Sequence, residues 1–307
     1  MFKNNSVARK VISSLYKVKK GQKDKGLEKQ DKDQEFSYLK DLIDYNEKYS
    51  KRLRPDDDYC RYGNIRCYED NYVQISTPHK AINASWIHLP YEKSFISAQA
   101  PIYSTIDDFW AMCFDYNINT ITMLCKLQEN GKEKCVEYWN PDKRNIYISY
   151  TDKVDNIFQV KSTTEEINED ITIRTCNVLN KMTNEERKIQ QINYGGWPDH
   201  EIPNNLQSVY GNVLFMFNIV DKLIGKGNPP ICVHCSAGVG RTGTFIALYN
   251  LYRDILSQIK DKNKKSIAFS LMNLVRQLKE MRLHLVENFK QYELIYQIVS
   301  KLLKDRN

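Results

Sequence analysis

The sequence predicts one α/β domain, a central twisted mixed sheet flanked by helices, behind a basic leader. Three observations carry this. Short β-branched and aromatic runs alternate with polar turns between about residues 65 and 195. The last third holds long segments of helical periodicity at 206–224, 242–260, 266–282 and 289–304. Between the first two of these lies Pro229-Pro230-Ile231-Cys232-Val233-His234-Cys235, a short apolar run of the kind that forms a buried central strand. With 307 residues, 41% hydrophobic and 27% charged, the chain can bury a sizeable core, and disorder throughout is excluded.

Residues 1–35 read as the leader. Ten Lys/Arg against four Asp/Glu in residues 1–33 account for +6 of the net +7, so the rest is nearly neutral and lacks the basic stripe of a nucleic-acid binder. Val7, Val11, Ile12 and Leu15 have near-helical spacing, but the following Lys-rich run has little to bury. A flexible tail is expected, in weak contact at most with membrane or acidic surfaces, each Lys or Arg contributing about 1 kcal/mol. No apolar run approaches the roughly 18 residues that cross a bilayer, and no secretory signal is recognisable. The eight cysteines are expected to be reduced thiols in a cytoplasmic protein.

The globular part is expected over 36–305, opening with Phe36, Leu39, Leu42, Ile43 and Tyr45 at helical intervals and a turn at Pro55-Asp56-Asp57-Asp58. Strands are expected at 146–150, 156–160, 171–178 and 188–194. A helix is expected from Thr105, with Thr105 and Asp108 as a capping box, followed by a strand at 121–125.

The richest segment is His234-Cys235-Ser236-Ala237-Gly238-Val239-Gly240-Arg241-Thr242-Gly243. A strand feeding a Gly-rich loop and then a helix lets successive N–H groups converge on one anion. Arg241 can turn its planar fork of donors onto two phosphate oxygens. A thiol at the base of such a loop is surrounded by groups that favour the nucleophilic thiolate. Two other readings fit less well. A nucleotide-binding loop needs Lys before Thr and a different Gly spacing. Cys232-x-x-Cys235 has redox or zinc spacing, but Cys232 faces the opposite environment and no second ligand pair follows.

This segment resembles the signature loop of the tyrosine-specific protein tyrosine phosphatases. Trp197-Pro198-Asp199 resembles the family's acid loop, Asn83-Ala84-Ser85 its INAS segment, Phe95-Ile96-Ser97-Ala98-Gln99-Ala100-Pro101 its QGP strand, and Tyr138-Trp139 its YW pair. The compact plan, with FISAQAP and KAINAS, is similar to the tyrosine phosphatases of insect-parasitoid DNA viruses, which implies work in a host cytoplasm. The resemblance implies that fold and hydrolysis of phosphotyrosine in proteins without a cofactor or metal. Cys235 is then the nucleophile, Arg241 and loop residues 236–240 the phosphate cradle, and Asp199 the acid that protonates the phenolate and later activates water. Gly195-Gly196 would let the acid loop close. The resemblance also implies that Glu129 orients Arg241, Lys134 braces the acid loop, and Thr242 eases sulfur's departure or caps the helix. Tyr62 would wall the pocket so that only a ring reaches its floor.

Three departures stand out: Ala100 for the usual Gly, Asn64 for an Asp that grips substrate backbone, and Glu287 for a Gln that positions water, with Gln291 kept. Asn64 lacks a carboxylate's charge assistance, and the charge on Glu287 opposes a phosphorylated intermediate. Those two leave a rival reading, a phosphotyrosine-binding trap of weak turnover. A dual-specificity or lipid phosphatase suits the leader but not Tyr62 or the long N-terminal half. An RNA 5′-phosphatase lacks its basic stripe.

Overall fold

Ile231–His234 reads ICVH, and all four residues are buried, because this strand has helices on both faces and a parallel neighbour on each side. The computed structural model describes residues 16–20, 32–55, 59–77, 81–89, 94–140, 157–197, 205–223 and 228–306. In chain order the strands are β1 (Tyr16–Lys19), β2 (Tyr72–Gln74), β3 (Ala81–His88), β4 (Ser94–Ala98), β5 (Thr120–Met123), β6 (Gln128–Glu129), β7 (Lys132–Glu133), β8 (Phe158–Glu166), β9 (Ile171–Asn180), β10 (Glu185–Tyr194), β11 (Ile231–His234) and β12 (Ser266–Phe269). The α-helices are α1 (Lys32–Leu39), α2 (Glu47–Ser50), α3 (Ile106–Asp115), α4 (Leu206–Leu223), α5 (Gly240–Lys260), α6 (Leu271–Met281) and α7 (Phe289–Arg306).

Eight strands form one sheet in the order β2-β3-β4-β11-β5-β10-β9-β8. The inner four are mutually parallel, and antiparallel pairs extend both edges. Alternation splits β11 between two cores: Ile231 and Val233 pack with α4, α5 and α7, and Cys232 packs with α3. α5 runs through the first core, its N-terminus directly beyond the loop that leaves β11.

The elements expected at 171–178, 188–194, 206–224 and 289–304 form within a few residues of those limits. The strand expected at 156–160 is β8, shifted toward the C-terminus. The segment 266–282 is not one helix. Ile267 and Phe269 are buried in alternation as β12, and Ser270 then caps α6 by accepting from Asn273 N. The capping box at Thr105 does not form. Thr105 Oγ1 instead bonds Ile102 N at 3.1 Å, and Asp108 accepts from Thr77 at 2.6 Å. The strand expected at 146–150, the spacing at Val7–Leu15 and Asp56–Asp58 lie outside the described residues.

Two pieces of the expected leader have structure. β1 pairs antiparallel with β12, and Lys20 Nζ donates to the carbonyls of Ile259 and Asp261, where its charge also complements the C-terminal end of α5. α1 starts at Lys32, before the expected boundary at Phe36. Its Glu35 is buried and accepts from the hydroxyls of Tyr292 and Tyr296 at 2.7 and 2.8 Å. The helical pattern from Phe36 continues into one π-turn, Lys40–Asp44, where Asp44 and Lys279 form a buried pair at 2.9 Å. Tyr45 points outward and is exposed.

Candidate active site

Cys235 follows the last residue of β11, and five residues, 235–239, turn the chain into α5. The turn is held from behind. Gly238 has φ +71°, and a Cβ there would lie 2.2 Å from the Ala98 carbonyl oxygen, so only glycine fits. Ser97 Oγ donates to Gly238 O at 2.9 Å, and Ala100 N donates to Ser236 O at 2.9 Å. Fully buried Arg282 donates to Gly238 O at 3.0 Å and Ala237 O at 3.1 Å, anchored in turn on Asn83, Cys67 and Ser85. Carbonyl and N–H are antiparallel across a trans peptide, so the N–H groups of Gly238 and Val239 point away from Arg282.

The loop floors a cavity of about 380 Å³ whose lining includes Tyr62, Asn64, Cys235, Ser236, Arg241, Glu287 and Gln291. Cys235 is 3% exposed and Arg241 1%. Arg241 Nη1 donates to Glu129 Oε1 at 2.7 Å and to the Trp197 carbonyl at 3.0 Å. Burial pulls its pKa down, but the electrostatic pull of the neighbouring Cys235 sulfur and the bond to Glu129 outweigh it and hold Arg241 above its ordinary value. Glu129 is aimed by the β6–β7 hairpin, whose Asn130 and Gly131 both take positive φ, as a two-residue turn of type I′ requires.

Tyr62 reaches the same cavity from a loop pinned by Gln99, which accepts from Arg61 N at 2.8 Å and donates to Tyr59 O at 2.6 Å. Ser236 Oγ gives its hydrogen to Lys134 O at 2.9 Å, so the Tyr62 hydroxyl donates to Ser236 at 2.8 Å. Asn64 is exposed at the mouth. Gln291 is buried and accepts from Glu287 N at 2.9 Å. The Glu287 carboxylate and Gln291 amide both lie over Gly240, within about 3 Å of where a Cβ would stand.

Most site residues expected from sequence therefore meet in one cavity, with His234 beneath it, its Nδ1 3.0 Å from Cys235 O. Pro198 and Asp199 lie outside the described residues, and with them the bracing expected of Lys134. Trp197 is fully buried, and its Nε1, Glu129 Oε2 and Thr242 Oγ1 have no hydrogen-bond partner among the described residues. Thr242 is not the helix cap: Val239 holds that position, without a side-chain bond. Gly196 has a packing reason as well, because a Cβ there would meet Asp170 Oδ1 at 2.2 Å. Burial pushes the Cys232 thiol far above its ordinary range, in the core opposite Cys235, so the two do not form a redox pair. Among the described residues no group of His, Cys, Asp and Glu is arranged to hold a metal, and no helix is long and apolar enough to cross a membrane.

Sequence reasoning missed Arg282. Its signal was an arginine in the run from Met281 to Val286, apolar apart from Arg282 and His284, a place where a charge persists only if the fold satisfies it.

A thiol on the floor of a strand–loop–helix cradle, six positions before an inward arginine, is the architecture of the cysteine-based phosphatases. The chain belongs to the protein-tyrosine phosphatase family, whose sequence profile matches residues 57–301. It is 33% identical over 242 residues to receptor-type tyrosine-protein phosphatase alpha of Homo sapiens, covering 77% of this chain and 28% of that protein. It is 32% identical over 248 residues to tyrosine-protein phosphatase non-receptor type 18 of Mus musculus, covering 79% and 51%. This chain thus spans about a quarter to a half of these relatives. Among solved structures, the catalytic domain of human protein tyrosine phosphatase non-receptor type 18 superposes with TM-score 0.71 at 25% identity, over 89% of this chain and 96% of that one. The same phosphatase in complex with HER2-pY1196 phosphopeptides gives TM-score 0.75 at 26% identity, over 91% and 95%.

Proposed function

We propose that this chain hydrolyses phosphotyrosine in proteins through a phosphocysteine intermediate. The observation that carries the reading is the cavity in which the Cys235 loop, the Arg241 fork and the Tyr62 wall converge. The Cys235 thiolate attacks phosphorus in line; the S–P bond forms as the bond to the tyrosine oxygen breaks, and Asp199 gives the departing phenolate its proton. Arg241 and the amides of residues 236–240 hold the three equatorial oxygens as charge develops. Water then attacks phosphorus, Asp199 takes its proton, and phosphate leaves as the thiolate is restored. The thiolate supplies the nucleophile and the loop the positive charge, so the reaction calls for no cofactor.

Tyr62 selects ring-bearing substrates by depth, and Asn64 at the mouth meets the peptide flanking the phosphotyrosine. Residues 36–305 are assigned as the catalytic domain and 1–35 as a leader whose described pieces, β1, Lys20 and residues 32–35, pack against it. Its partners are phosphotyrosine-bearing signalling proteins of the cytoplasm, a host's cytoplasm on the viral resemblance. The test is hydrolysis of a phosphotyrosine peptide beside matched phosphoserine and phosphothreonine peptides, with Cys235→Ser as control. Turnover confined to phosphotyrosine and lost in Cys235→Ser is expected; equal turnover of all three, or binding without turnover, overturns the reading.

A further inference from the structure

Behind the cradle a chain of hydrogen bonds crosses one face of the sheet. Arg174 on β9 donates from Nη1 to Gln191 Oε1 at 2.7 Å, and Gln191 on β10 is its direct cross-strand partner. Gln191 Nε2 donates to the Tyr138 hydroxyl at 2.5 Å. That hydroxyl lies 2.9 Å from His234 Nε2, and His234 Nδ1 lies 3.0 Å from the Cys235 carbonyl oxygen. Gln191, Tyr138 and His234 are fully buried; Arg174 is half-buried, its guanidinium 4.3 Å from the Trp139 ring centre.

The two ends fix the direction of the bonds next to them, and one assignment of the middle carries the chain head to tail. A guanidinium only donates and a carbonyl only accepts. Gln191 must therefore turn its oxygen to Arg174 and its amide nitrogen to Tyr138. Tyr138, accepting there, still has its one hydrogen to give, and the head-to-tail arrangement sends it to His234 Nε2. His234 Nδ1 carries the hydrogen that it donates to Cys235 O. Four bonds run head to tail from a fixed positive charge, so each polarises the next. The last one pulls electron density onto the carbonyl of the peptide unit whose N–H belongs to Ser236. That N–H is the first amide after the nucleophile, and polarisation makes it a better donor toward negative charge at sulfur or phosphate.

We propose that Arg174 is a positioning residue for Cys235, acting through Gln191, Tyr138 and His234. Its effect on turnover rests on the phosphatase function proposed above; its effect on the Cys235 thiol does not. Arg174→Met keeps an apolar stem over Trp139 and removes the donors. The expected result is a fall in kcat on a phosphotyrosine peptide of about threefold to tenfold, the size of one ordinary hydrogen bond, with KM within about twofold. Arg174→Lys, which keeps a charged donor, recovers most of kcat. Alkylation of Cys235 by iodoacetate slows in Arg174→Met by a similar factor, and it needs no turnover, so it reads the chain even if phosphotyrosine is not the substrate. Gln191→Glu tests the middle: the carboxylate still accepts from Arg174 but has no hydrogen for Tyr138, and the same loss is expected. In a Tyr138→Phe background Arg174→Met adds nothing further. The proposal is overturned if Arg174→Met lowers only the melting temperature, if Gln191→Glu retains wild-type kcat and alkylation, or if the Arg174→Met loss is undiminished in the Tyr138→Phe background.

Discussion

Arg282→Met separates the preorganisation of the loop from the stability of the fold. Arg282 makes five hydrogen bonds, two to Asn83 and Ser85 on β3, one to Cys67, and two to the loop carbonyls of Ala237 and Gly238. Its partners among the described residues are carbonyls, an amide oxygen, a hydroxyl and a thiol, none a carboxylate, so the substitution strands dipoles and leaves no unpaired charge. A bond to a charged group contributes about 1.5–3 kcal/mol. Gly238 O keeps its bond from Ser97, so the loop loses between one and two such bonds, about 3 kcal/mol in all, which corresponds to more than about 100-fold in kcat/KM. The assay pairs initial rates on a phosphotyrosine peptide with urea unfolding, read as a change of midpoint at constant slope. A fall in kcat/KM of that size in a protein still folded at the assay temperature is expected. If the unfolding midpoint drops while kcat/KM stays within a few-fold, Arg282 braces the sheet and does not orient the loop.

Glu287→Gln removes a negative charge from a cavity built to hold phosphate, and rapid-quench traces should show faster breakdown of phosphocysteine; no increase in that step would refute the effect. Glu129→Gln keeps an acceptor at 2.7 Å from Arg241 but loses the charge, and kcat/KM is expected to fall about 10- to 100-fold, the range of a charge-assisted bond. Asp44 is penalised by burial but held below its ordinary value of 3.8 by His284 and Lys279. Its contribution is thus complete above about pH 4 and lost as pH falls through its lower folded value. Burial pulls Lys279 down despite Asp44, so the acid limb belongs to the carboxylate. Asp44→Asn should flatten that limb in urea titrations and cost about 3–5 kcal/mol by leaving Lys279 buried without its partner.

The sheet and cradle were legible because their residues obey local rules: an apolar ICVH run and glycines at the turn that follows it. What was not legible depends on distant partners. Ile267 and Phe269 fit a helical pattern as well as a strand, and only pairing with Tyr16–Lys19 decides between them. Thr105 and Asp108 have capping-box spacing, but Thr77, 31 residues before Asp108, takes the carboxylate. Glu35 and Lys20 look like solvated charges until Tyr292, Tyr296 and the end of α5 are placed beside them. Arg282 stands out locally only as a charge in a mostly apolar run, and what it holds is not legible there because the carbonyls lie 44 and 45 residues away.

The family resemblance covers residues 57–301, and a clone cut to those limits would omit β1, Lys20 and Glu35 together. Two tyrosine hydroxyls would lose their buried acceptor, and β12 would become an open edge whose backbone groups can pair with another chain. Such a shortened protein is expected to associate at high concentration through that edge, a colloidal behaviour produced by the cut and foreign to the 307-residue chain.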